Sequence, residues 1–156
     1  MAKRNAEYLQ FFIDGKWEGE QHPKIVFPPP IAKLVGFRVT ALEPGLGVVE
    51  METDPAQHAN PMGTVHGGIH ATIADAAIGL AHWARLEENE SFTSIDLRIN
   101  FFRPVWKDTL RATARLVNGG KSVSYYTCDI TRGDGKLVAQ VTSTVMTLRG
   151  DAASGR

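Results

Sequence analysis

The spacing of hydrophobic residues changes character three times along this chain. In residues 3–14, Tyr8, Leu9, Phe11, Phe12 and Ile13 fall where a short amphipathic helix would gather them. Residues 15–24 read as loop. The run Pro28-Pro29-Pro30 then bars regular structure until Pro30 opens a short helix through Ile31, Leu34 and Val35, closed by Gly36. Residues 37–51 are strand-like, with Phe37, Val39 and Ala41 before a turn at Glu43-Pro44-Gly45 and Val48 and Val49 after it. Residues 54–63, DPAQHANPMG, are loop by composition. The one long helical stretch runs from residue 64 to about 86, where Ile69, Ile73, Ala76, Leu80 and Trp83 recur at spacings of three and four.

Beyond it everything alternates. Residues 91–102 place Ile95, Leu97, Ile99 and Phe101 on one face, and Pro104 ends the run. Strands follow over 109–117, 122–131 and 136–148, separated by Asn118-Gly119-Gly120 and by Arg132-Gly133-Asp134-Gly135, both suited to hairpin turns. The end, RGDAASGR, reads as disordered, with its Arg-Gly-Asp triplet a chance occurrence. Strands joined by tight turns predict an antiparallel sheet. A single long helix has to bury its apolar surface against that sheet, so the fold class is α+β. There is no internal repeat and no low-complexity tract.

Composition narrows the class. With 156 residues and 43% hydrophobic content, the chain suits one domain with a real core. Lys plus Arg number 17 and Asp plus Glu number 17, a net charge of zero that gives no sign of a nucleic-acid partner. Cys128 is the sole cysteine, so no intrachain disulfide forms. The basic start is interrupted by Asp14, Lys16, Glu18 and Glu20 before any apolar leader develops, and no run is apolar enough to span a bilayer. The chain reads as cytoplasmic, without membrane partners.

Charge placement points to chemistry. Residues 55–84 contain one Asp, Glu, Lys or Arg, and it is Asp75, set among Ile73, Ala74, Ala76, Ala77, Ile78 and Leu80. A helix apolar nearly all round is a buried one. A carboxylate there is costly unless hydrogen-bonded or turned to a cleft, and burial raises its pKa toward a range useful for acid–base work. The alternative is that Asp75 holds a neighbouring loop. Just upstream, Gly67 and Gly68 begin the helix, where unpaired N–H groups and the positive dipole end can polarise a carbonyl. Alternatively they only permit tight packing. Asn60, in the preceding loop, has an amide able to orient a water or a carbonyl, although Asn before Pro61 is also an ordinary turn former.

These residues fall in a recognisable order. Asn60-Pro61-Met62-Gly63-Thr64-Val65-His66-Gly67-Gly68 followed by Asp75 closely resembles the PaaI-like (phenylacetate-degradation) branch of the hot-dog thioesterases. Ser94-Ile95-Asp96-Leu97-Arg98-Ile99-Asn100-Phe101-Phe102-Arg103-Pro104 resembles the next strand of that family, and Gly120-Lys121 and Gly135-Lys136-Leu137-Val138-Ala139 its final hairpin. The resemblance covers about residues 34–148. It implies a hot-dog domain over 34–148, an antiparallel sheet of about five to six strands wrapped around one long central helix. An N-terminal extension with short helices would occupy 1–33 and a flexible tail 149–156.

The resemblance further implies an acyl-CoA thioesterase, releasing a free acid and coenzyme A from an aryl-acetyl or medium-chain fatty acyl thioester. Asp75 would be nucleophile or general base, facing a thioester held by the glycine amides at the start of its helix. Gly67, helped by Gly68, would polarise the carbonyl, and Asn60 would position water or carbonyl. Ser94 of the partner subunit would orient the carboxylate, with Thr93 as the alternative. His66 would brace the glycine turn at the substrate. Arg103 and Lys121 would meet coenzyme A phosphates. The family forms homodimers or homotetramers with sites at the dimer interface and needs no cofactor beyond the coenzyme A of its substrate.

Other readings compete. His66 and His70 stand four apart as metal ligands can, but spacing supplies no third ligand, so no metal is expected. A hydratase or dehydratase would pair a His with an acid, and a non-catalytic acyl-CoA sensor would not require Asp75.

Overall fold

The three long strands that close the chain form the middle of the sheet. The computed structural model describes Asn5, Tyr8, Gln10, Ile13, Asp14 and residues 26–154. In chain order it contains α1 (Pro30–Val35), β1 (Phe37–Glu43), β2 (Leu46–Glu52), α2 (Pro55–His58), α3 (Gly67–Trp83), β3 (Ser91–Ser94), β4 (Arg98–Phe101), β5 (Thr109–Gly119), β6 (Val123–Thr131) and β7 (Leu137–Leu148), with a 3-10 turn at Gly150–Ala153. The sheet order is β1-β2-β5-β6-β7-β3, β4 also pairs with β7, and every pairing is antiparallel. Register shifts between Val39 and Ala41, Leu116 and Asn118, and Ile130 and Thr131 add local twist, which helps the sheet curl.

The concave face is filled by α3. Strand alternation turns Leu110, Ala112 and Ala114, then Ser124, Tyr126, Cys128 and Ile130, then Val141, Ser143, Val145 and Thr147 inward. They meet a helical stripe of His70, Ile73, Ala74, Ala77, Ile78 and Ala81. The contact is close because small residues make it. At Gly47 of β2 an added Cβ would sit 2.3 Å from the Ala77 carbonyl oxygen, so only glycine lets this strand lie against the helix backbone.

Most elements stand where the pattern placed them, including α1 with Gly36 in the left-handed conformation at its end (φ 89°) and both glycine hairpins. Four details differ. Asp54 caps α2 by accepting from the Ala56 N–H at 2.9 Å, so part of the expected 54–63 loop is a helical turn. The long helix begins at Gly67 rather than residue 64, because the Val65 N–H bonds Val105 O (2.7 Å) and Thr64 O accepts from the Asn60 N–H (2.7 Å). The 91–102 strand is broken into β3 and β4. Around the break Asp96 accepts from the Thr144 N–H through Oδ1 and from the Ser143 hydroxyl through its carbonyl. Leu97 and Ile99 pack on the core, but Ile95 and Phe101 are 53% and 55% exposed, so this is not a uniformly buried face.

The end is the fourth difference. Arg149 is tied to Glu90 (2.6 Å) and to Lys121 O (2.8 Å), and a 3-10 turn follows where a flexible tail was expected. Of the N-terminal helix, Asn5, Tyr8, Gln10 and Ile13 are helical; the rest of the extension before residue 26, apart from a turn at Asp14, lies outside the described residues.

Candidate active site

Asp75 lies on the flank of α3 next to the buried stripe. Thr72 and Gly79, one turn either way, and the adjoining Ala76 are too small to fill the space beside it. The result is a cavity of about 860 Å³ into which Asp75 projects, walled on the apolar side by Phe27, Leu80, Trp83 and Phe92. In the single chain Asp75 is open to solvent at this cavity, so the carboxylate is turned to a cleft and not enclosed by the core. The helix is apolar all round because one flank lines a cavity, not because every flank is packed. Protein still crowds the carboxyl. That desolvation raises its pKa above the ordinary Asp value, and the neighbouring Ser94 hydroxyl pulls it part of the way back.

Ser94 comes from β3 of the same chain, which corrects its assignment to a partner subunit. Strand alternation decides between the two neighbours. Ser94 shares the cavity with Asp75, whereas Thr93 does not line it.

A second group gathers at the start of α3. His66 is its N-cap, and its Nδ1 accepts from the Gly68 N–H at 2.9 Å, so His66 does brace the turn. That bond also occupies the Gly68 N–H and leaves the Gly67 N–H as the donor without a partner among the described residues. Asn60 uses Oδ1 to accept from Met62 N (3.0 Å) and Thr64 N (3.2 Å), and one Nδ2 hydrogen to reach Thr64 Oγ1 (2.7 Å). One amide hydrogen remains. Asn60, Gly67, His70, Phe101 and Arg103 line a cavity of about 440 Å³. Arg103 sends Nη1 to Leu137 O at 2.7 Å. Lys121, at the β5–β6 turn, lines neither cavity.

The two cavities share no residue. Eight residues of helix separate Gly67 from Asp75, about 12 Å along the axis. The acid therefore does not face the amides of its own helix, contrary to the expectation. Phe27, Trp83 and Phe92 line the larger cavity and His70 the smaller; pattern reasoning gave Trp83 to the helical stripe, discounted His70 and did not single out Phe27 or Phe92. His70 alone carried a usable signal, one helical turn after Gly67. Among the described residues no cluster of three or more metal-ligating side chains occurs.

Residues 62–139 match the family model of the thioesterase superfamily. The chain belongs to that superfamily. This thioesterase is 31% identical over 121 residues to acyl-coenzyme A thioesterase 13 of Mus musculus, covering 75% of the chain and 85% of that protein. It is 32% identical over 87 residues to the proofreading thioesterase EntH of Klebsiella pneumoniae, covering 56% and 63%.

Among solved structures, a mutant of the phenylacetic acid degradation protein PaaI from Thermus thermophilus superposes on this thioesterase with a TM-score of 0.70 at 33% identity, covering 76% of this chain and 98% of that one. The PaaI protein of the E. coli phenylacetic acid degradation operon gives 0.73 at 28%, covering 79% and 87%. The curled sheet around one helix is thus the hot-dog fold of a thioester hydrolase. Among the described residues no helix is long and apolar enough to cross a membrane.

Proposed function

We propose that this thioesterase hydrolyses acyl-CoA thioesters of bulky apolar acids, aryl-acetyl or medium-chain, with Asp75 as its catalytic carboxylate. The observation that carries the reading is a lone carboxylate of raised pKa, sharing the wall of a large apolar cavity with the Ser94 hydroxyl. The acyl group lies against Phe27, Trp83 and Phe92. The carbonyl oxygen rests on the Gly67 N–H and the spare Asn60 amide hydrogen, which stabilise the oxyanion. Asp75 either takes the proton of a water that adds to the carbonyl, or attacks the carbonyl itself to form a mixed anhydride that water then cleaves to the free acid and Asp75; in both routes the C–S bond breaks and coenzyme A leaves as thiolate, then thiol.

Since Gly67 and Asp75 of one chain are too far apart for one thioester, each site is composite in this reading. Asp75 and Ser94 come from one protomer, Asn60 and Gly67 from a second. Exposed Ile95, Phe101 and Phe102 along the broken edge strand give that second copy an apolar surface to cover. The relatives' names support acyl-CoA as the substrate class.

The test is thiol release from a panel of acyl-CoAs. Asp75→Asn should lose at least about a hundredfold in turnover with its fold retained. Mixing Asp75→Asn with Asn60→Ala under subunit exchange should restore activity in about a quarter of sites, because half the dimers become mixed and each mixed dimer holds one intact site. Equal turnover of Asp75→Asn and wild type removes Asp75 from the chemistry. No recovery on mixing removes the composite site.

A further inference from the structure

One buried side chain in the smaller cavity has a bond left to make. His70, in the second turn of α3, is 4% exposed. Its Nδ1 lies 3.3 Å from the His66 carbonyl oxygen, which only accepts, so the ring proton sits on Nδ1. Nε2 is then a bare acceptor, and it has no partner although it is fully buried. A buried, unsatisfied acceptor of this kind is costly and calls for a donor. Burial also lowers the pKa of His70, which favours the neutral ring.

The surroundings define the donor. The cavity wall offers the Gly67 N–H, the spare Asn60 amide hydrogen and the Arg103 guanidinium, all donors, beside this acceptor. A secondary amide or a thioester–amide pair complements such a wall, since it brings carbonyl oxygens for the donors and an N–H for the acceptor. Gly67 and His70 are three residues apart, about 4.5 Å along the helix and on neighbouring faces. In a coenzyme A thioester two methylenes separate the sulfur from the first amide nitrogen, which places that nitrogen on the order of 4 Å from the sulfur. A thioester oxygen on the Gly67 N–H therefore brings the amide N–H to the level of His70.

We infer that His70 is a substrate-positioning residue whose Nε2 accepts the N–H of the pantetheine amide nearest the thioester. This inference rests on the proposed thioesterase site. The smaller cavity then takes the thiol-side arm, while the larger one takes the acyl group. Phe101 closes this arm subsite. Its ring meets His70 edge to face (centroids 5.7 Å apart, 88°), and an added Cβ on Gly67 would come within 2.9 Å of it.

The experiment compares two short thioesters of one acyl group, the N-acetylcysteamine thioester and its analogue with ester oxygen in place of the amide N–H. Wild type should favour the amide by at least about tenfold in kcat/KM, the discrimination of a site built to bond a donor. His70→Leu should treat both alike while keeping its fold. A wild-type ratio near one, or an unchanged ratio in His70→Leu, overturns the assignment.

A second measurement separates this from failure of the proposed function, and it also covers a variant that does not fold. In wild type, the nitrogen-15 resonance of His70 Nε2 is followed on adding non-hydrolysable analogues that carry methylene in place of sulfur. A shift with the amide analogue and none with the ester analogue supports the assignment even if no thioester is turned over. Equal shifts, or none, overturn it even if hydrolysis is fast.

Discussion

Acid should weaken this fold chiefly through His82, whose pKa is depressed more strongly than that of the buried His70. His82 lies near the end of α3, 1% exposed, with Nδ1 3.0 Å from Tyr126 Oη and Nε2 2.9 Å from Thr147 Oγ1. Burial is the largest cause that lowers its pKa from 6.5 to about 4. Arg85 and Arg149 push the same way and Glu90 opposes them. Because the folded value is the depressed one, the unfolded chain takes up the proton first. Stability is unaffected above pH 6.5, falls as pH drops below it, and stops falling near pH 4. The difference of 2.5 units corresponds to about 3 kcal/mol in full, and about 2 kcal/mol between pH 7 and pH 5. That is a large share of a typical 5–15 kcal/mol. Urea unfolding at pH 7, 6 and 5, at one protein concentration, measures it. His82→Gln cannot titrate, so its stability should fall by about 2 kcal/mol less than wild type over that range. An equal fall in both proteins, or a His82 ring titrating near 6.5 by NMR, refutes the reasoning.

Two further outcomes follow from the geometry. Burial raises the pKa of Asp75, so its ionised form destabilises the fold above that raised value and the cost disappears in acid. Asp75→Asn should therefore gain stability over wild type at pH 7 and lose that gain by pH 3, read from urea midpoints; an advantage equal at both pH values contradicts it. Gly47→Ala forces a Cβ against helix backbone at 2.3 Å, which neither side can yield cheaply, and should cost about 3 kcal/mol in unfolding free energy. A cost under about 0.5 kcal/mol would show that β2 and α3 part freely.

How much of this was legible in the residues depended on whether local chemistry decided the outcome. The α1 boundaries were readable because Pro30 fixes its φ and Gly36 accepts the left-handed conformation, and the β6–β7 hairpin because Gly135 does the same. Strands β5, β6 and β7 were readable because each buries one face. Residues 91–102 misled because alternation continues through a break made by partners on β7. Asp96 bonds Ser143 and Thr144, nearly fifty residues away, and no local pattern announces such a bond. The short α2 had a signal in Asp54-Pro55, but four residues are too few to show a period.

The site was legible in its members and not in its grouping. Asn60, Gly67 and Asp75 form one continuous stretch of sequence, and that continuity suggested a single place. A helix rises 1.5 Å per residue, so eight residues carry Asp75 about 12 Å beyond Gly67, farther than one thioester group extends. What a motif holds together along the chain, a helix holds apart in space. The same rise explains why His70 belongs with Gly67 and not with Asp75. Three residues keep it in the cavity at the helix start, and the five that follow lead to a different wall. In the proposed assembly the start and the middle of one helix thus serve two different substrates, and a single chain, though fully folded, would hold two half-sites and complete neither.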